Sequence, residues 1–235
     1  MKIVNKVLVS VDASDLVDGV FYNEIVIEIA NNCFLNIKNL KEINLPKVKK
    51  IGNNCFSYCD ALTTVNVPVL AECGNNCFSY CDALTTVNVR NKKYNTKNVD
   101  GYCFVIEKQK TTKGTKIYEG YNFLSMKNKV IQKQPCFVSE KDGFTAHGYT
   151  VKKSISDLQF KIVADKLKKE PINADTVVSI NHYRLITGAC EFGCKSWLEQ
   201  NGLTETEEMR ADKLLPMLQK TGAWGYERFK QLVTF

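Results

Sequence analysis

The sequence of 235 residues has little histidine and no long apolar run. Its only two histidines are His147 and His182, and it has no Gly-rich phosphate loop, paired-carboxylate motif or H-E-x-x-H motif. No segment approaches the roughly 18 apolar residues that a membrane-spanning helix needs. Residues 1–15 lack the apolar region and cleavage site of a secretion signal. We therefore expect a soluble, cytoplasmic, non-enzymatic protein that binds no cofactor and no membrane.

Cysteine, in contrast, is abundant, with ten residues, and six of them lie in a repeat. Residues 52–67 and 74–89 both read GNNCFSYCDALTTVNV, and residues 30–45 are a diverged copy one 22-residue period earlier. This period predicts a leucine-rich solenoid, in which the cysteines fill the core as small apolar side chains. Disulfides and a metal site are the open alternatives, although the C-x-x-x-C spacing is not typical of zinc sites.

Each repeat carries the L-x-x-L-x-L spacing of a short strand. Because alternate strand residues face opposite sides of a sheet, the apolar positions point inward and the polar positions point outward. Phe34, Phe56 and Phe78 are predicted to stack inside the solenoid. The outward side chains form a predicted partner-binding face that consists of Glu42, Asn44, Thr64, Asn66, Thr86 and Asn88.

The segment IGNNCFSYCDALTTVNVP resembles the BspA-type leucine-rich repeat. The residues that carry the resemblance are Ile51, Gly52, Phe56, Cys59, Leu62 and Pro68. The resemblance covers about residues 29–90. It implies a scaffold that recognises other proteins and has no catalytic residues.

The C-terminal part of the chain is similar to a module that follows such repeats in proteins of bacteriophages and mobile elements of gut bacteria. The first part of this similarity is carried by Gly143, Ala146, His147, Gly148, Thr150 and Leu158. The second part is carried by Tyr183, Arg184, Thr187, Gly188, Cys190, Gly193 and Trp197. The module itself carries no known activity to this chain. Its phage context, together with the basic segment described below, predicts an accessory protein that binds and inhibits a host bacterial protein, such as a ribonucleoprotein defence complex of the CRISPR effector type. A phage structural or adhesion protein is the alternative.

Positive charge is concentrated between residues 90 and 133. This stretch has eleven basic and three acidic residues, whereas the whole chain has a net charge of only +7. Basic residues interleaved with aromatic ones suit a nucleic-acid backbone or an acidic protein surface, and the alternative is a solvated hairpin face. The basic residues assigned to this contact are Arg90, Lys92, Lys93, Lys97, Lys108, Lys110, Lys113 and Lys116.

A catalytic or metal site can be drawn from only four further residues, which are His147, His182, Cys190 and Cys194. Their spacing matches neither a usual Cys–His nucleophile pair nor a usual metal site. We therefore assign no catalytic and no metal-binding residue, and we expect both cysteines on the buried side of a helix.

The predicted fold is α+β, with three parts. Residues 1–29 form an N-terminal β cap, a hairpin of strands at 6–11 and 20–29. Residues 30–98 form the leucine-rich repeat solenoid with parallel strands. Residues 99–235 form a β-hairpin and a helical C-terminal module, whose first helix is capped by Thr150. Open sheet edges also make a homodimer an expectation.

Overall fold

The structure is a computed structural model that describes residues 1–169, 172–204 and 207–234. The chain divides into two compact units, Met1–Ser154 and Ile155–Phe235. The sequence predicts a different division, into 1–29, 30–98 and 99–235, which is based on the repeats and their caps. That division stays a prediction.

Nine short strands build the solenoid. They are β1 (Lys2–Val4), β2 (Val7–Ser10), β3 (Val20–Tyr22), β4 (Glu28–Ile29), β5 (Glu42–Asn44), β6 (Lys50–Ile51), β7 (Thr64–Val67), β8 (Glu72–Cys73) and β9 (Thr86–Val89). The first row of parallel strands is β2, β4, β6 and β8, and the second row is β3, β5, β7 and β9. The chain passes from one row to the other in every coil, which makes a solenoid of about four turns.

The 22-residue period stacks equivalent side chains from coil to coil. The ring of Phe56 lies 5.1 Å from that of Phe34 and 5.7 Å from that of Phe78, measured between centroids, and all three side chains are buried. The predicted aromatic column is therefore confirmed. Adjacent strands lie about 4.8 Å apart, so side chains of successive coils touch and the core is continuous along the solenoid.

The first coil begins earlier than the repeat does in the sequence. The sequence predicts a hairpin of strands at 6–11 and 20–29, but β2 and β3 lie in different rows and pair in parallel with β4 and β5. The buried side chains of Leu8 and Phe21 occupy core positions of this first coil. The N-terminal hairpin is formed by β1 and β2 instead. The first coil lacks the sequence of the repeat but keeps its inward apolar positions, and for this reason it was not predicted.

An antiparallel meander follows the solenoid. Its strands are β10 (Lys92–Val99), β11 (Tyr102–Thr112), β12 (Thr115–Lys127), β13 (Val130–Lys141) and β14 (Phe144–Gly148). The five connections from β9 to β14 each have two residues, and both residues have positive φ in every case, at 90–91, 100–101, 113–114, 128–129 and 142–143. Turns of this kind match the twist of a hairpin. The predicted hairpin is thus present as β11 and β12, within a longer meander.

The meander covers the C-terminal end of the solenoid. β10 pairs with β9 in the second row, and β12 meets β8 of the first row at Met126 and Cys73. The ring of Phe123 lies 5.7 Å from that of Phe78, at the end of the aromatic column. Both rows therefore continue into the meander, which protects the last coil from edge-to-edge pairing.

The second unit is mainly helical. Its helices and short strands are α1 (Val151–Lys169, which begins in the first unit), β15 (Ile172–Asn173), β16 (Val177–Val178), α2 (Ile180–Thr187), α3 (Glu191–Gln200), β17 (Met209–Arg210), α4 (Ala211–Thr221), α5 (Tyr226–Leu232) and β18 (Val233–Thr234). Thr150 accepts a hydrogen bond from the backbone N–H of Lys153, as its predicted capping role requires. The buried Phe229 and Leu218 belong to the core of this unit. No helix in the described ranges is both long enough and apolar enough to span a membrane. Together with the solenoid, these helices confirm the predicted α+β fold.

Candidate binding surfaces

The six predicted partner-binding residues lie on the outward face of the second row. Strand register places Glu42, Thr64 and Thr86 side by side. It places Asn44, Asn66 and Asn88 side by side in the same way, and the side-chain amide of Asn66 donates a hydrogen bond of 3.1 Å to that of Asn44. We name these six residues the strand face. All six are half-buried by their neighbours, so their short polar side chains form a flat, ordered surface.

Two residues outside the six predicted positions extend the strand face. Tyr22 of β3 is in register with Asn44, and its side chain is 54% exposed. Lys93 of β10 is opposite Asn88 at the other end. Tyr22 precedes the visible repeat, so only its distance of one period from Asn44 could have placed it on this face.

The eight predicted basic residues are spread over the meander and its turns. Three of them have carboxylate partners. Lys97 and Lys116 both contact Glu140, at 2.6 and 3.4 Å, and Lys108 contacts Glu119 at 3.3 Å. Within the described residues, the other five make no ion pair; they are Arg90, Lys92, Lys93, Lys110 and Lys113.

Glu140 neutralises part of the positive charge of the meander. Partial burial raises the pKa of this carboxyl, but the hydrogen bond and charge of Lys97, together with hydrogen bonds from Tyr118 and Lys116, outweigh burial. The net pKa lies below its usual range. Lys97 and Lys116 are thus structural partners of Glu140, which leaves fewer cations available to an external anion.

The coil-by-coil geometry agrees with the comparison to known proteins. A family model described as BspA type leucine rich repeat region, with six copies, matches residues 16–130. Residues 16–130 are therefore similar to the BspA-type leucine-rich repeats. No curated protein and no solved structure matches the chain. Leucine-rich repeats generally bind other proteins and are generally not enzymes. The match begins within the first coil, before the visible repeat, and it continues into the meander.

The cysteines of the repeat region are buried free thiols. The thiols of Cys59 and Cys81 donate to the backbone carbonyls of Phe34 and Phe56, one coil back, at 3.0 and 2.9 Å. Burial raises the pKa of Cys59 to about 11 and that of Cys33 to about 12. Because the thiolate is the form that attacks electrophiles and binds metals, these residues are core side chains. This confirms the prediction for the repeat.

The residues considered for catalysis do not form a reactive cluster. His147 lies on β14, where its Nδ1 is 2.7 Å from a carboxylate oxygen of Asp100. His182 Nδ1 contacts Ser179 at the start of α2, and burial lowers the pKa of this imidazole. The described residues contain no group of three or more His, Cys, Asp or Glu side chains that could hold a metal ion.

Cys190 differs from the other nine cysteines because it alone is exposed. The sequence predicts that Cys190 and Cys194 both lie on the buried side of helix α3. Only Cys194 is buried; Cys190 precedes the helix as its N-terminal cap, and its sulfur accepts a hydrogen bond from the backbone N–H of Gly193 at 3.3 Å. Both cysteines line an apolar cavity of about 420 Å³ in the second unit, together with Trp197 and Trp224.

A groove on another side of the repeat region contains residues that sequence reasoning missed. Its volume is about 440 Å³. It is lined by two rows with the 22-residue period, which are Asn32, Asn54 and Asn76, and Tyr58, Tyr80 and Tyr102. We name this feature the tyrosine groove. Its signal in the sequence is a tyrosine that recurs at one-period intervals, although 102 lies beyond the visible repeat.

Proposed function

We propose that this chain is a non-enzymatic accessory protein that binds another protein through the strand face. The observation that carries the proposal is the register of Glu42, Thr64 and Thr86 beside Asn44, Asn66 and Asn88. These side chains stand on paired strands over a continuous core, so little conformational entropy is lost when a partner covers them. A rigid surface of short hydrogen-bonding groups suits a protein partner.

For the partner we propose a host bacterial protein, specifically a ribonucleoprotein defence complex of the CRISPR effector type. The chain would act as a phage-type inhibitor in the bacterial cytoplasm. This choice rests on one sequence-based expectation and one observation. One is the similarity of the C-terminal part to a module of phage and mobile-element proteins. The other is the group of five basic side chains without acidic partners, which suits the anionic surface of a ribonucleoprotein.

The test is target cleavage by purified CRISPR effector complexes with and without the purified chain. We expect inhibition by the wild-type protein and a loss of at least about tenfold in potency for Asn66→Arg, because an arginine at the centre of the face blocks close approach. Asn39→Arg is the matched control, since Asn39 is an exposed residue of the same solenoid outside the strand face. Absence of inhibition would refute the choice of partner. Equal inhibition by Asn66→Arg and wild type would refute the strand face.

The second candidate function is nucleic-acid binding by the meander. The observation that favours it is again the set of five cations without carboxylate partners. If all five met phosphates of a duplex, the logarithm of the binding constant would fall with the logarithm of salt concentration with a slope of about −4.5. Binding to duplex DNA and to RNA over a range of salt concentrations measures this slope. No binding, or a slope near zero, would exclude this function.

Self-association is a separate expectation and stays a prediction. Sheet edges offer unpaired backbone groups to a second copy, and β1, β3 and β14 end the sheet paths. Sedimentation at several protein concentrations would show whether a homodimer forms.

A further inference from the structure

The tyrosine groove has a backbone feature that packing alone does not explain. Tyr58 and Tyr80 have φ values of 62° and 56°, in the left-handed region. The equivalent residue of the preceding coil is Asn36, with φ of 63°, and asparagine is a residue that tolerates this conformation. A left-handed conformation costs a bulky residue about 1–2 kcal/mol. Two repeats therefore keep a strained tyrosine where asparagine fits, and such strain is concentrated at functional positions.

These tyrosines are held rigidly, with their edges toward solvent. The rings of Tyr58 and Tyr80 are parallel within 3°, with centroids 4.6 Å apart. The Lys38 ammonium lies 5.9 Å from the Tyr58 centroid, and Gly101 lies so close to the Tyr80 ring that a Cβ would be 2.5 Å from it. Both side chains are nevertheless 45% exposed. The ring faces are covered, so the groove presents ring edges and hydroxyl groups.

This geometry argues against two classes of ligand. Bases and sugars are commonly held against open aromatic faces, and the faces of Tyr58 and Tyr80 are covered. Nucleic acids also need cations, but no lysine or arginine lines the groove, and its one carboxylate, Asp100, pairs with His147 at 2.7 Å. The groove is therefore suited to an uncharged ligand.

The other row of the groove supplies hydrogen-bonding groups. The side-chain amides of Asn32, Asn54 and Asn76 make no hydrogen bond with any residue in the described ranges. Each amide can both donate and accept, as the peptide groups of an extended chain require. Rigid tyrosines combined with adaptable asparagine side chains are also found on antibody surfaces that bind proteins.

We propose that the tyrosine groove is a protein-binding site that holds an uncharged, extended segment of a partner protein. The tyrosines are its rigid anchors, and the asparagine amides bind the main chain of the segment. This inference rests on the proposed binding function and adds a second surface to it, which lies on a different side of the coils from the strand face.

The test is selection of a random linear peptide library on the immobilised full chain. Selected peptides are then measured against wild type, the double variant Tyr58→Asn/Tyr80→Asn, and Asn66→Arg on the strand face. The double variant places asparagine where Asn36 already occupies the same conformation, so it is compatible with the fold, and its urea unfolding curve checks this. We expect uncharged peptides to be enriched and to bind the double variant at least about tenfold more weakly, while Asn66→Arg binds them like wild type.

The outcomes separate the two proposals. Peptides that bind the double variant as tightly as wild type but lose binding to Asn66→Arg would overturn the groove and leave the strand face standing. A selection that enriches no peptide would overturn the groove proposal alone, because the strand face is proposed to bind a folded protein and is tested by the cleavage assay. A folded double variant that loses binding in a glycan array but binds the selected peptides normally would reassign the groove to carbohydrates and overturn the proposal.

Discussion

Replacement of Phe56 by alanine tests whether the stacked core stabilises the repeat region. Phe56 is fully buried, and it contacts the rings of Phe34 and Phe78 on its two sides. The substitution removes the central member of the column and leaves a cavity that the rigid coils cannot close. Because every coil rests on the next, both neighbouring rings lose a contact.

The expected loss follows from these contacts. A buried phenylalanine replaced by alanine costs about 3–5 kcal/mol in protein cores, and each aromatic pair contributes about 0.5–1.5 kcal/mol beyond its buried area. With a ring on both sides, we expect about 4–5 kcal/mol, at the upper end of the core range. This is a large part of the roughly 5–15 kcal/mol that stabilises a typical domain.

Urea unfolding followed by far-ultraviolet circular dichroism measures this loss. With a urea dependence of about 3 kcal/mol per molar, the midpoint of Phe56→Ala should fall by about 1.5 M. The control is Phe192→Ala, the same change at a side chain that is 81% exposed, for which we expect about 0.5 kcal/mol or less. A loss below about 1.5 kcal/mol for Phe56→Ala would refute the argument that the column is a continuous core.

Three further predictions concern thiols and turns. The unfolding free energy should decrease as pH rises from 9.0 to about 12, because the folded chain keeps the Cys33 proton that the unfolded chain releases; urea midpoints that do not change with pH would contradict this. One thiol of ten should react rapidly with a thiol reagent, and this rapid reaction should be absent in Cys190→Ser. Rapid reaction of several thiols would contradict the burial of the core cysteines. Gly101→Ala should destabilise by at least about 1 kcal/mol more than Gly114→Ala. Both glycines have positive φ, but only at Gly101 would a Cβ meet the ring of Tyr80, and equal losses in urea unfolding would be inconsistent with that contact.

Much of the solenoid can be predicted from periodicity. The repeat determines which side chains point inward, because strand residues alternate and equivalent coils stack. Phe34, Phe56 and Phe78 therefore form the expected column, and Asn44, Asn66 and Asn88 the expected outward row. The first coil is harder to recognise, since Leu8 and Phe21 keep the apolar pattern without the letters of the repeat.

The candidate sites were less predictable because they depend on contacts between segments that lie far apart in the sequence. The number of charged residues between 90 and 133 does not reveal that Lys97 and Lys116 both form ion pairs with Glu140, which lies outside this stretch. Local spacing likewise suggested a buried Cys190, whereas its place before α3 leaves the thiol exposed.

By itself, the sequence determined the 22-residue coil, the inward cysteines and the outward Thr and Asn positions, because these follow from a period that each coil repeats. Only the tertiary structure decided how the two rows continue into the meander, which lysines are neutralised, and that Tyr58 and Tyr80 stack edge-outward beside Gly101. The physical reason is that strand alternation is a local property of the chain. Strand pairing, ion pairs and the fit of a ring against a glycine arise only when distant segments meet.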